Sequence, residues 1–149
     1  MSKIFYGRVI LPGKTKGQVL VTRQGFNTLA SYYKTATGNA AAAICSDQDN
    51  KDLYGKDLSG KIICLPKTIG STSAGATWVQ IAEMGLAPKA LLFSGYIDSL
   101  AAAGIALVDV WVGKRIVTID SLGEEFLESV QDDQTIAIDA DGTVTLVTS

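Results

Sequence analysis

The segment from Lys61 to Ser94 restricts the possible folds more than any other part of the chain. It opens on a solid apolar run, Lys61–Pro66 (K-I-I-C-L-P), which is too short for a helix and is closed by proline. Next comes a small-residue turn, Lys67–Ala76 (K-T-I-G-S-T-S-A-G-A), and then an apolar-periodic stretch from Thr77 to Met84. Gly85-Leu86-Ala87-Pro88 stops that stretch, and a second solid run follows at Lys89–Ser94 (K-A-L-L-F-S). A strand, a helix and a second buried strand in this order predict a βαβ crossover with parallel strands. A crossover of that kind requires a sheet covered by helix on at least one face.

The turn between strand and helix is the part suited to chemistry. The first N–H groups of a helix have no intrahelical partner, and the helix dipole is positive at that end. A Gly/Ser/Thr turn there can hold a carboxylate or phosphate, and a serine within it can also react. The segment Gly70-Ser71-Thr72-Ser73-Ala74-Gly75-Ala76 fits neither nucleotide-binding glycine pattern. It is also not a nucleophile elbow, because no glycine lies two residues before or after Ser71. From the local motif alone two readings stay open: an N-cap supplied by Ser71 or Ser73, or an anion-binding and reactive turn.

Composition removes several function classes. The 149 residues contain no histidine, so Ser-His-Asp and Cys-His catalysis and phosphohistidine chemistry cannot come from this chain. Proton transfer would fall to a carboxylate, a lysine, a tyrosine or an activated serine. Cys45 and Cys64 sit in apolar surroundings and read as buried thiols; two cysteines cannot complete a zinc or iron–sulfur site alone. A net charge of −2 gives no footprint for nucleic acid. No apolar run is long enough for a membrane span, and Arg8 interrupts the N-terminus too early for a signal peptide. The expectation is a single cytoplasmic domain over residues 1–149.

Elsewhere, Ile4–Leu11 and Gln18–Thr22 are β-rich and flank the turn-like Pro12–Gly17, as in a hairpin or two barrel strands. Asn27 and Thr28 either line a site or cap a short helix, Leu29–Lys34. Asn39–Cys45 is ambiguous between helix and strand. Ser46–Gly60 is acidic and turn-rich, lacks the EF-hand glycine and glutamate, and reads as a solvated loop. Asp98-Ser99 can cap a short turn, Leu100–Ala103, ended by Gly104 and followed by a strand, Ile105–Trp111. In that strand Asp109 is either an outward edge position, the favoured reading, or a buried carboxylate with a partner. Lys114–Ile119 is a strand, Leu122–Val130 a short acidic helix, and Gln134–Asp139 with Thr143–Val147 a hairpin about Ala140-Asp141-Gly142. The sum is an α/β chain: a compact barrel-like domain with a mixed sheet and a few short helices.

Three blocks in order resemble a known family: G-R-V-I-L-P-G-x-x-x-G-x-V-L near the N-terminus, L-Y-G-K-D-L-S-G-K-I-I-C-L-P-K-T-I-G-S-T-S-A-G in the middle, and A-P-K-A-L-L-F-S / A-A-A-G-I / D-V-W later. Together they look like the small swivel domain of aconitase X. The resemblance implies a swivelling β/β/α barrel and a small subunit of a hydro-lyase that works only with a larger aconitase X subunit. That partner is expected to carry the iron–sulfur or iron centre, and this chain to bind no cofactor or metal by itself. The resemblance makes Ser71 the proton acceptor, with Gly70, Thr72, Ser73, Asn27 and Thr28 against a small hydroxy-acid substrate. It implies either dehydration of cis-3-hydroxy-L-proline to Δ1-pyrroline-2-carboxylate or dehydration of mevalonate 5-phosphate. Gly25–Leu29 (G-F-N-T-L) resembles the first type, and Ile69, where relatives often carry arginine, weakens the second. A non-catalytic binding domain on the same fold is the remaining expectation. If the site is shared, an exposed apolar surface should border the Ser71 turn, buried only by a partner.

Overall fold

The computed structural model describes residues 2–38, 40–70 and 74–147. The strands are β1 (Ser2–Tyr6), β2 (Arg8–Leu11), β3 (Thr15–Val21), β4 (Phe26–Asn27), β5 (Ile62–Leu65), β6 (Thr68–Ile69), β7 (Ala90–Phe93), β8 (Val117–Asp120), β9 (Thr135–Ile138) and β10 (Thr143–Val147). The helices are α1 (Thr28–Thr37), α2 (Ala74–Glu83), α3 (Ser99–Leu107), which runs directly into a π-helical turn over Val108–Val112, and α4 (Glu124–Ser129).

Eight strands form one mixed sheet in the order β1-β10-β9-β3-β5-β7-β8-β2, and β4 pairs with β6 in a separate two-stranded ribbon. The expected crossover is present: Ile62 to Leu65 lie parallel to Ala90 to Phe93, with α2 between them in sequence. Strands β3, β5, β7 and β8 run parallel, while β1, β10 and β9 extend the sheet antiparallel. The two outermost strands, β1 and β2, are separated only by Gly7. One residue cannot bridge a flat eight-stranded sheet, so the sheet must curl until its edges meet. A side chain at Gly7 would place its Cβ 2.4 Å from the Asp120 carbonyl oxygen, so only glycine fits the bend.

The solid apolar runs are explained by two-sided burial. Ile63 and Leu65 of β5, with Leu91 and Phe93 of β7, face one core beneath α1, α2 and α3, together with Phe26, Tyr32 and Trp78. Their neighbours Ile62, Cys64, Ala90 and Leu92 face a second core closed by β9, β10 and α4. The architecture is therefore helix layer, parallel sheet and closing β layer. Cys45 and Cys64 are both buried, in different cores, and burial pushes both thiols up from their usual range.

Three expectations need correction. Strands β1 and β2 do not form a hairpin with β3; they pair with β10 and β8, and β3 divides its partners between β9 and β5. Ser46–Gly60 is less solvated than its composition implies: Leu53 and Leu58 are fully buried, and buried Asn50 donates to the Thr22 hydroxyl.

The expected strand Ile105–Trp111 is helix and π turn. Asp98 caps α3 through the Ala101 N–H at 3.0 Å, and the alanine run favours helix. Gly104 does not end the helix; it packs against Gly75 of α2, and the stop comes at Gly113, in the left-handed region at φ 72°. Asp109 accordingly lies on the π turn, where it pairs with Arg115 at 2.8 Å.

Candidate active site

Ser71, Thr72 and Ser73 lie outside the described residues, so the site is built from what flanks them. The parallel strands β3, β5, β7 and β8 end together, and ligand sites of open α/β sheets lie beyond such carboxyl ends. From the end of β5 the chain passes through β6 to Gly70, which has φ +100°. A Cβ at Gly70 would meet the Asn27 amide at 2.6 Å, so two features require glycine there. Pairing of β4 with β6 sets Asn27 opposite Ile69. The Asn27 side chain then caps α1 by accepting from the Ala30 N–H at 3.0 Å.

Residues Thr28, Thr68, Ile69, Gly70, Ala74 and Asp98 surround a small cavity, completed by Leu100 and Ala101. Its volume is about 90 Å³, well under the several hundred Å³ of a usual small-molecule site. Thr28 begins α1, Ala74 begins α2 and Asp98 caps α3, so three helix N-termini converge on one space. Each contributes N–H groups and the positive end of a dipole, which favours an anion. Asn27 and Asp98 satisfy donors of α1 and α3. Thr68 donates its hydroxyl to Asp98, tying β6 to α3. Thr28 is only 1 % exposed, and its hydroxyl has no hydrogen-bond partner among the described residues.

Behind the cavity, Asp120 at the end of β8 steadies the segment leading to Asp98. Its side chain is fully buried, accepts the Ile97 N–H at 2.8 Å and takes a two-point grip from Arg8 at 2.9 and 2.7 Å. Desolvation raises the Asp120 carboxyl, but hydrogen bonds from Arg8, Ile97 and Ser121 outweigh it, and the group lies below its ordinary value.

A larger groove of about 440 Å³, lined by Val21, Arg23, Lys51, Asp52, Lys56 and neighbours, has several of its charged groups already paired. Lys56 pairs with Asp132 at 2.5 Å, Arg23 donates to the carbonyls of Leu127 and Val130, and Asp52 accepts from Thr22.

Of the residues expected at the site, Gly70 and Thr28 line the cavity and Asn27 sits behind it as a cap. Thr68, Asp98, Leu100 and Ala101 were not anticipated; Asp98 was legible only as a helix cap. Among the described residues no group of three or more His, Cys, Asp or Glu could hold a metal, and the two cysteines point into separate cores. The described residues thus do not fit an iron–sulfur or iron centre.

The family model for the aconitase X swivel domain matches residues 4–146. The chain belongs to that family. Curated relatives include the phosphomevalonate dehydratase small subunit of Archaeoglobus fulgidus, 26% identical over 137 residues, covering 92% of each chain. The same subunit of Methanothermobacter thermautotrophicus is 28% identical over 134 residues, covering 90% of this chain and 92% of the relative. The crystal structure of Thermococcus kodakaraensis aconitase X in its holo-form superposes with a TM-score of 0.81 at 26% identity, covering 98% of this chain and 99% of that one. A UPF0107 protein solved by solution NMR shares the fold, with a TM-score of 0.77 at 24% identity, 98% of this chain and 100% of that one. These relatives agree with a dehydratase small subunit of the aconitase X type. They give no support to the hydroxyproline type in particular, since their names specify phosphomevalonate.

Proposed function

We propose that the chain is the small subunit of a heteromeric hydro-lyase, removing water from a small 3-hydroxy acid in a site completed by a larger subunit. The observation that carries this reading is the meeting of three helix N-termini over a cavity too small to enclose a substrate. Half a pocket bordered by helix N-termini suits a subunit that grips one end of a carboxylate-bearing molecule.

In the proposed chemistry Ser71 takes the proton from the carbon beside the carboxylate. The electron pair left on that carbon forms the C=C bond, and the hydroxyl on the next carbon departs, with a proton, as water. A serine oxygen needs its negative charge stabilised to act as a base, and the positive end of the α2 dipole would supply that field. An iron centre on the larger subunit would act as the Lewis acid for the departing hydroxyl. Asn27 packs against Gly70, the residue before Ser71, and the Thr68–Asp98 link ties β6 to α3.

The names of the relatives, phosphomevalonate dehydratase small subunits, support mevalonate 5-phosphate as the substrate in this reading. A second reading, cis-3-hydroxy-L-proline, is favoured by one observation: the described cavity residues include the carboxylate of Asp98 and no lysine or arginine. Both molecules carry the same reacting pair, a proton beside the carboxylate and a hydroxyl one carbon on.

The test is co-expression with the large subunit and assay of both substrates. Turnover is expected only from the pair, and Ser71→Ala should abolish it while assembly persists. Wild-type turnover in Ser71→Ala sinks the base assignment. Loss of about 1 kcal/mol of stability with no effect on turnover would make Ser71 a helix cap only.

A further inference from the structure

Helix α3 and the π turn after it are apolar on every side. Their sequence, S-L-A-A-A-G-I-A-L-V-D-V-W-V, carries one charged residue, Asp109, which is neutralised by Arg115. One side is accounted for: Ala101, Gly104, Ile105 and Val108 are buried against α2 and the sheet. The other side is not. Leu100, Ala103, Ala106, Val110 and Trp111 lie outward at helical spacing, with Leu100 51%, Val110 75% and Trp111 72% exposed. A helix apolar all round belongs in an interior, and here half of it faces solvent. The π turn inserts an extra residue in the last turn, which leaves Trp111 outside while Val112 packs on the core.

We propose that this stripe is the surface on which the large subunit docks. The proposal rests on the reading above, in which a larger subunit completes the site, and it names where that subunit sits. Continuity selects the occupant: Leu100, the first residue of the stripe, also lines the cavity, and Ile69 on the opposite rim is 47% exposed. A subunit that closes the cavity over Leu100 meets the start of this stripe. An exposed tryptophan at the far end of such a stripe, desolvated when a partner covers it, has the character of an interface anchor. The matching face on the large subunit is apolar, with a recess for the Trp111 indole.

The experiment measures affinity between this chain and the purified large subunit for wild type, Trp111→Lys and Val110→Lys, with Tyr54→Lys as an exposed aromatic outside the stripe. Both stripe variants should keep the wild-type melting temperature and weaken the pair by about 30-fold or more, while Tyr54→Lys binds normally. Trp111 emission should shift to the blue on assembly. Wild-type affinity in both stripe variants overturns the proposal. So does a homodimer of the isolated chain that Trp111→Lys dissociates, which would make a second copy the occupant. A wild-type pair that assembles through the stripe yet dehydrates neither hydroxy acid overturns the functional reading and leaves the docking surface standing.

Discussion

The crossing of α2 and α3 offers a sharp test, because its two glycines are not equivalent. A Cβ added at Gly104 would lie 2.6 Å from the Gly75 Cα and 3.3 Å from Trp78 Cδ1. The nearer atom is backbone, so the helices would have to separate. A Cβ added at Gly75 would meet nothing closer than 3.5 Å, an ordinary contact. Alanine in place of a helical glycine gains about 0.5–1 kcal/mol from backbone entropy. At Gly104 overpacking costs about 1–3 kcal/mol or more, and it outweighs that gain. Gly104→Ala should therefore lose about 1–2 kcal/mol, lowering the melting temperature by about 2–8 °C. Gly75→Ala should be neutral or stabilising. Urea unfolding followed by circular dichroism measures both, and unchanged m-values would keep the comparison one of stability. A Gly104→Ala protein as stable as wild type, or a Gly75→Ala protein that is the weaker of the two, would refute the packing argument.

Two further outcomes concern buried polar side chains. The buried Asp120 carboxyl is held below its ordinary value, so the unfolded chain binds the extra proton as pH falls. Its contribution is present above the usual carboxylate range near pH 4 and is lost as pH drops through the lower folded value. Arg8→Gln should remove much of that protection, moving the midpoint of acid unfolding to higher pH; an unchanged midpoint would contradict the role given to the pair. Tyr32 is fully buried, and its hydroxyl has no hydrogen-bond partner among the described residues. Tyr32→Phe should therefore be neutral or stabilising by up to about 1 kcal/mol in thermal unfolding, and a loss above that would reveal a partner.

The parts of the fold legible in the sequence were those fixed by short-range pattern. K-I-I-C-L-P and K-A-L-L-F-S read as buried parallel strands because two-sided burial leaves no alternation, and A-D-G marked the final hairpin. Errors came where distant residues decide. V-D-V-W has the β-branched and aromatic look of a strand, yet the Asp98 cap and the seat of Gly104 on Gly75 carry the helix through to it. Pro12-Gly13 suggested a hairpin, but β1 and β2 take their partners from β10 and β8, near the other end of the chain. The small-residue turn exposed the neighbourhood of the site. Asp98 and Leu100 could not be found that way, because their place beside Gly70 depends on α3 lying across α2.

Strand β5 sends alternate side chains to cores that share no member, so neighbours one residue apart answer to different constraints. Ile63 and Leu65 belong to the layer that carries the helix N-termini, whereas Ile62 and Cys64 belong to the layer that closes the opposite face. Substitutions in the two sets share no core partner, so they should combine more nearly additively than substitutions within one core. Lineages could thus drift, or adapt to heat, by rebuilding the closing layer while the side that bears the candidate site stays untouched.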